Sequence, residues 1–391
     1  MILAGSDGMT QAELDKQVKR LMARFDDVNT YYIKKVAKQV AEIGELTPSS
    51  MHVISVMATM VENIAEINAQ IANAARLATP ELFRLYNKAL NDLYFDQRFE
   101  RALKETPLPD ESKRSLERYA QAVARQTADT MQNLSQTTVT SEKYRQTVDK
   151  AVLAVSSGVS DYKSMMRQSL REMASSGLQV QYESGYRRRL DSALRQNIVD
   201  GAKQIQQHVS DQIGEELGFD AKEITAHANS APDHEPVQGR VFLLEEFAKL
   251  QNNEASKDID GLFHPAMERA IGQWNCMHFA YSFSTQYSKR KYTNEQLDQF
   301  ARENAQGCEI DGKQYSKYEA TQLMRKVETE IRRQKDIGVA AQAAGDDDLR
   351  QEAQRNINAL SRKYSEIAKA AGLSERRDRM TVEGFRAVKV S

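Results

Sequence analysis

The chain has 391 residues, 54 Lys+Arg against 55 Asp+Glu, 7% aromatic residues and 7 prolines. Charge this balanced gives no global field to draw the chain onto nucleic acid, so any DNA contact must come from a local basic patch. Its two cysteines, Cys276 and Cys308, cannot build a disulfide framework and point to a reducing compartment. The opening MILAGSDGMT is too short an apolar run for a signal peptide, and HVISVMATMV is too short to span a membrane.

From Leu14 the residues Val18, Leu21, Phe25, Val28, Tyr32, Val36, Val40 and Ile43 recur at three- and four-residue steps, the spacing of an amphipathic helix. GELTPSS breaks it, with Thr47 placed to cap the next helix ahead of Pro48. A second helix runs through Ile54, Val61, Ile64, Ile67 and Ile71 and is expected to stop near Thr79-Pro80, where a third begins. ETPLPDESKRSLE reads as a linker whose Asp110 can cap the following helix. No proline falls between Asp110 and Ala231, and helix signals continue through Tyr144, Val148, Val152 and Val155.

The texture changes at SSGLQVQYESGYRRRLDSALRQNI. LQVQY alternates like a short strand, and Arg187–Arg189 are expected to open a helix running to about Glu216. GFDAKEITAH, GRVFLLEEF and HFAYSFS supply further strand candidates, with QNNEASKDIDGLFHP as a polar loop between them. Past Lys291 the chain returns to helix, with Glu328 and Arg332 as an i,i+4 pair. AAGDDDL forms a hinge before a last helix through Leu349, Ala353, Ile357, Leu360, Tyr364 and Ile367. The expected architecture is mainly α with a small α+β central unit and long helical arms at both ends. Its divisions are an N-terminal helical arm or bundle (1–106), a helical connector (107–177), an α+β core (178–290) and a C-terminal helical region (291–391).

Four of six histidines (His227, His234, His264, His278) share a window with Cys276. Imidazole and thiolate are preferred zinc ligands, and four of them close a tetrahedral site. Cys276 and His278, one residue apart, would point the same way from an extended segment. His227 and His234 would supply the rest. The spacing matches no standard finger, so histidines hydrogen-bonded to loop backbone around a buried free cysteine are an alternative. The same residues also allow a thiol nucleophile or a metal-activated water. Neither an HExxH pair nor a phosphate-binding glycine loop accompanies them, which weighs against an enzyme. The arginines of YRRRLDSALR (Arg187, Arg188, Arg189 and Arg195) form a candidate basic contact face for DNA phosphates or for ion pairs with a neighbouring chain.

The order QYESGYRRRLDSALR, HANSAPDHEPVQGRVF, GQWNCMHFAYSF and the basic helix MRKVETEIRRQK resembles the minor capsid protein 2 family of tailed bacteriophages. It is more distantly similar to the phage Mu F-type head-morphogenesis proteins. The resemblance is carried by Tyr182, Ser184, Gly185, Arg195, His227, His234, Gln238, Gly239, Val241, Phe242, Asn275, Cys276 and His278. Arg240, Met277 and Ser282 depart from the family's usual Lys, Arg and Pro. The resemblance implies a structural minor head protein in the virion, at the capsid interior or portal vertex, made in the host cytoplasm. Few copies per particle, or self-association, go with that role. Its partners would be the portal and other head proteins, with genomic DNA reached through local basic patches. Residues 178–290 would be its core. The Mu F-type proteins place cysteines where His234 and Cys276–His278 fall, an exchange that keeps ligand chemistry and implies a structural zinc. Gln238, Gly239 and Gly185 would serve as structural turn residues. The alternative function is a metal- or thiol-dependent hydrolase, a nuclease or peptidase acting during infection.

Overall fold

All nine apolar residues recurring from Leu14 to Ile43 turn inward, none more than 6% exposed. They line α1 (Gln11–Gly44) in a computed structural model that describes residues 11–44, 50–94, 97–136, 140–156, 162–182, 184–273, 276 and 278–390. The expected cap at Thr47 lies outside the described residues. Helix α2 (Ser50–Tyr94) runs straight through Pro80, which corrects the expected stop there. An interior proline costs about 3 kcal/mol. Against that, Ala78, Leu82, Leu85, Tyr86, Ala89 and Leu90 are all buried around it, and each large apolar side chain returns roughly 1.5–3 kcal/mol. Packing therefore outweighs the breaker. Val61, expected on the inner stripe, stands 57% exposed, and Val56 and Met60 take that face instead.

Helices α3 (Gln97–Glu105), α4 (Asp110–Gln136), α5 (Thr140–Ser156) and α6 (Tyr162–Ser176) follow. A hairpin then pairs β1 (Gln179–Gln181) with β2 (Arg187–Arg189), Gln179 opposite Arg189. The three arginines therefore form a strand and not the start of a helix; α7 begins at Leu190 and ends at Glu216. The cause is the turn: Gly185, at φ 80°, donates its N–H to the Tyr182 carbonyl at 2.8 Å and sends the chain back along β1.

The small sheet has β3 (Ala221–Ile224) at its centre, flanked antiparallel by β4 (Val241–Leu243) and β7 (Ala280–Phe283). Helix α8 (Leu244–Gln251) follows β4. The expected polar loop holds a second hairpin, β5 (Ser256–Lys257) with β6 (Phe263–His264). It is closed by the Asp258 carboxylate, which accepts the N–H groups of Asp260 and Leu262 at 3.0 and 2.9 Å.

Helix α9 (Asn294–Gln306) opens with a capping box on Thr293. A third hairpin, β8 (Cys308–Ile310) and β9 (Lys313–Tyr315), interrupts the helices expected beyond Lys291. Its Asp311-Gly312 turn has φ of 52° and 74°, the two positive angles of a type I′ hairpin. Helices α10 (Lys317–Ala344) and α11 (Asp347–Ala371) then pack antiparallel, turning at Gly345, before a 3-10 turn (Arg377–Met380). The expected Glu328–Arg332 pair gives way to longer-range partners. Glu328 accepts the Tyr364 hydroxyl at 2.8 Å, and Arg332 reaches Asp191 at 3.4 Å.

The chain is mainly α with a small sheet-containing region, and one apolar cluster joins residues of α1 to α7 with the C-terminal half of α10 and the start of α11. A buried charge network ties the same elements. Arg189 lies 3.2 Å from Asp191 and 2.9 Å from Asp336 of α10. The field of these groups also reaches Asp26 of α1. For Asp191 burial works against ionisation, but Arg189 and Arg332 prevail and hold the carboxyl below its ordinary value. For Asp336 burial prevails over Arg189 and pushes the carboxyl from 3.8 to about 6.

A raised carboxyl means that the folded chain binds the proton more tightly than the unfolded one. Its stabilising contribution is fully present below pH 3.8 and is lost as pH rises through about 6. Denaturant unfolding of wild type and Asp336→Asn should therefore show a stability difference that moves against wild type by about 2–3 kcal/mol across that window. A difference independent of pH would contradict the burial of this charge.

Candidate metal centre

Strands β3 and β7 are neighbours, so the segment after β3 and the segment before β7 emerge side by side. After Ile224 the first segment folds into tight turns. His234 and Glu235 donate their N–H groups to the Ala231 carbonyl at 3.0 Å, and Gln238 donates to that of His234 at 3.0 Å. This winding turns the His234 ring inward, leaving it 1% exposed. In the second segment Cys276 donates its N–H to Gln273 at 2.9 Å. Its carbonyl accepts Lys203 Nζ of α7 at 2.7 Å. Cys276 and His278 are each 3% exposed.

The Cys276 Sγ lies 3.3 Å from His234 Nδ1 and 3.6 Å from His278 Nδ1. The three ligand atoms all fall within 4.8 Å of one another. The outer nitrogens are tied to oxygen. His234 Nε2 faces the Arg269 carbonyl at 2.9 Å, and His278 Nε2 faces Gln238 Oε1 at 3.3 Å. A carbonyl oxygen only accepts, so these partners assign the proton of each neutral ring to Nε2. Both Nδ1 lone pairs then point at the sulfur. That leaves three electron-pair donors with at most one thiol proton among them, an arrangement a cation would satisfy. Anchored outer nitrogens are also how proteins orient imidazole ligands.

Charge at the site favours the ligand forms of Cys276 and His278, and holds His234 toward its protonated form, whose proton a bound cation would have to displace. Burial acts to raise the Cys276 thiol, but the hydrogen bond to His234 and the backbone N–H groups of Gly272 and His278 bring it below the usual thiol value. Burial likewise acts to lower His234, yet its contacts with Cys276, the Arg269 carbonyl and Asp233 hold it above the ordinary imidazole value. Burial, then the neighbouring His227 and His234, push His278 down to about 2, so its ring is neutral.

His227 stands beside this trio and not within it. Its ring stacks on His278 with centroids 4.4 Å apart, and its Nδ1 meets the Ala228 carbonyl at 3.1 Å. Its Nε2 is buried with no hydrogen-bond partner among the described residues. Gln238 is buried and links the two histidines: its Oε1 takes the His227 N–H at 3.1 Å as well as facing His278. Asn275, Trp274 and Met277 lie outside the described residues.

The other expected residues lie elsewhere. Gly185 belongs to the β1–β2 turn. Arg187 pairs with Glu142 at 2.7 Å, Arg189 belongs to the buried network, and Arg195 pairs with Asp15 at 2.8 Å. Arg188 sits in β2, opposite Val180. His264 is held by Asp258 at 3.2 Å. Sequence reasoning missed Arg269, Lys203 and Ser230, whose Oγ lies 3.4 Å from His278 Nε2. Arg269 acts on His234 through a backbone carbonyl, which no residue type advertises. Its guanidinium pairs with Asp233, a partner the DH dipeptide could have hinted at.

Fold and site together define a helical protein with a three-stranded sheet drawn shut by a buried Cys/His cluster. The family model for phage minor capsid protein 2 matches residues 9–367, which include every residue of this centre. The chain belongs to the phage minor capsid protein 2 family. Among curated proteins and among solved structures, none matches it. No helix among the described residues is long and apolar enough to cross a membrane.

Gly239 closes the loop at φ 67°, and a Cβ there would fall 2.3 Å from Leu297 Cδ2 of α9. Gly239→Val should therefore destabilise the chain by about 2–4 kcal/mol through backbone strain and overpacking. Leu297→Ala in the same chain should recover only the steric part. Denaturant titration checks this, and a Gly239→Val chain as stable as wild type would refute it.

Proposed function

We propose that this phage minor capsid protein is a structural head component associated with the portal, acting in head assembly or DNA delivery, with a zinc-stapled central sheet. Family membership supports the head role. The observation that carries the zinc reading is the convergence of His234 Nδ1, Cys276 Sγ and His278 Nδ1 in a buried place, their outer atoms already engaged. His234, Cys276 and His278 would hold the ion, and the unpartnered Nε2 of His227 is the candidate fourth donor. Bound zinc supplies folding free energy by joining the two loops.

The hydrolase alternative asks more of the site. A catalytic metal keeps a position open to water or substrate, usually in a cleft. Here the three ligands are 1–3% exposed, and a further imidazole, that of His227, stacks on His278. A buried ligand set suits a staple, and His227 would have to close the fourth position. On this reading the partners are the portal and other head proteins, with few copies per particle or self-association, and DNA is met only through local basic patches.

Elemental analysis of the untagged chain should find about one zinc per molecule, and chelation should lower its unfolding temperature. Cys276→Ser and His278→Ala should each lose the metal. A metal-free wild-type chain whose melting ignores chelator would sink the zinc reading.

The head role is tested separately, by mass spectrometry of purified particles and cross-linking in them. The chain should be present at a small fraction of the major capsid copy number and should cross-link to the portal. Its absence from particles, despite abundance in the infected cell, would overturn the structural reading. Presence with cross-links confined to other head proteins would overturn the portal association alone.

A further inference from the structure

Between α10, the end of α11 and the 3-10 turn lies a pocket of about 270 Å³. Three guanidinium side chains line it, Arg325 from α10 and Arg376 and Arg379 from the strap of residues 373–380 that follows α11, together with Thr321, Glu328 and Ser374. The strap is held in place from both sides. Arg376 donates its backbone N–H to the Tyr364 hydroxyl at 2.9 Å, and that hydroxyl donates to Glu328 at 2.8 Å. Lys335 Nζ donates to the Met380 carbonyl at 2.7 Å. The arginines are therefore gathered by fixed backbone.

Their charge is not balanced locally. Arg379 reaches Asp15 of α1 at 3.5 Å, but Asp15 also serves Arg195 at 2.8 Å. Neither Arg325 nor Arg376 has a carboxylate within ion-pair distance among the described residues. The one carboxylate in the wall, Glu328, accepts the Tyr364 hydroxyl and attracts Arg325, but it offsets only one of the three guanidinium charges. Arg325 is exposed as a residue. Even so, partial desolvation in the pocket wall, then the like charges of Arg379 and Arg376, hold its guanidinium below the usual arginine value. Three cations around one cavity repel one another until an anion enters.

We infer that this pocket binds a phosphate group, gripped by the guanidinium forks of Arg325, Arg376 and Arg379. Guanidinium matches phosphate oxygens two at a time. The cavity lies just below the roughly 300–1,000 Å³ of sites for drug-sized ligands and suits one or two phosphoryl groups. The phosphate can be free, as inorganic phosphate or pyrophosphate, or can project from a DNA backbone. The inference stands independently of the zinc centre and of portal association.

The test uses the full chain. Thermal unfolding is compared in chloride and in about 10 mM pyrophosphate at matched ionic strength, for wild type, Arg325→Gln and Arg376→Gln. Pyrophosphate should raise the wild-type unfolding temperature, and each variant should lose most of the gain, with affinity weakened about tenfold or more. In chloride the variants should be at least as stable as wild type, because each removes a like charge. Equal gains in all three chains, or none in wild type with no DNA binding, would overturn the inference. So would variants that lose the same stability in both buffers, which would mark the arginines as packing residues. Binding of a short duplex DNA separates the sources. DNA binding that pyrophosphate competes away and that both substitutions weaken assigns the site to backbone phosphate. Pyrophosphate binding without DNA binding assigns it to the free ion.

Discussion

Helix α7 can touch the helical bundle and the small sheet at once only because residues 201 and 214 carry no side chain. A Cβ at Gly201 would lie 2.1 Å from the Tyr86 hydroxyl, which donates to the Ile198 carbonyl at 3.0 Å and meets Thr127 Oγ1 at 3.1 Å. A Cβ at Gly214 would lie 2.3 Å from Ser282 Oγ of β7, and one turn earlier Ser210 Oγ accepts the Ser282 N–H at 2.8 Å. Glycine inside a helix costs about 1 kcal/mol each, which the close packing on both sides offsets. The same helix extends Lys203 to the Cys276 carbonyl. The position of the Cys/His cluster relative to the bundle therefore follows from how closely α7 can approach both neighbours.

Where local period and long-range packing agree, the sequence is legible. The α1 stripe is the clearest case, since three- and four-residue spacing and burial select the same nine residues. The failures fall where a distant partner decides. Pro80 reads as a break until the apolar residues around it find a surface to cover. Arg187–Arg189 read as helix until the Gly185 turn sets them against β1. Asp311-Gly312 is a different case, because its hairpin signal is local but sits in a stretch whose texture is otherwise helix-like.

The candidate metal centre divides along the same line. Ligand types and their grouping are written in the sequence, and so is the glycine turn that closes the loop. What the sequence could not give is the tautomer of each histidine, which depends on a backbone carbonyl at Arg269 and a side-chain carbonyl at Gln238. Nor could it rank the four candidate ligands. His227 and His234 are equally good donors on paper, yet only His234 places a nitrogen against the sulfur, while His227 lies flat on the ring of His278.

Charge follows a related logic with a less intuitive result. The conspicuous arginine run is largely neutralised: Arg187 by Glu142, Arg189 by Asp191 and Asp336, and nearby Arg195 by Asp15. Apart from Asp191, these partners come from elements far apart in sequence, so the most basic stretch of the chain ties distant parts of the fold together. Arg325 belongs to the basic helix MRKVETEIRRQK, and Arg376 to the stretch SERRDRM. They come together only when α10 and the strap after α11 close on each other, with Glu328 as the one carboxylate in the pocket wall against three guanidinium groups. Unbalanced charge, and not the density of basic residues, is what an incoming anion feels. In this protein that imbalance arises where two basic stretches far apart in sequence meet.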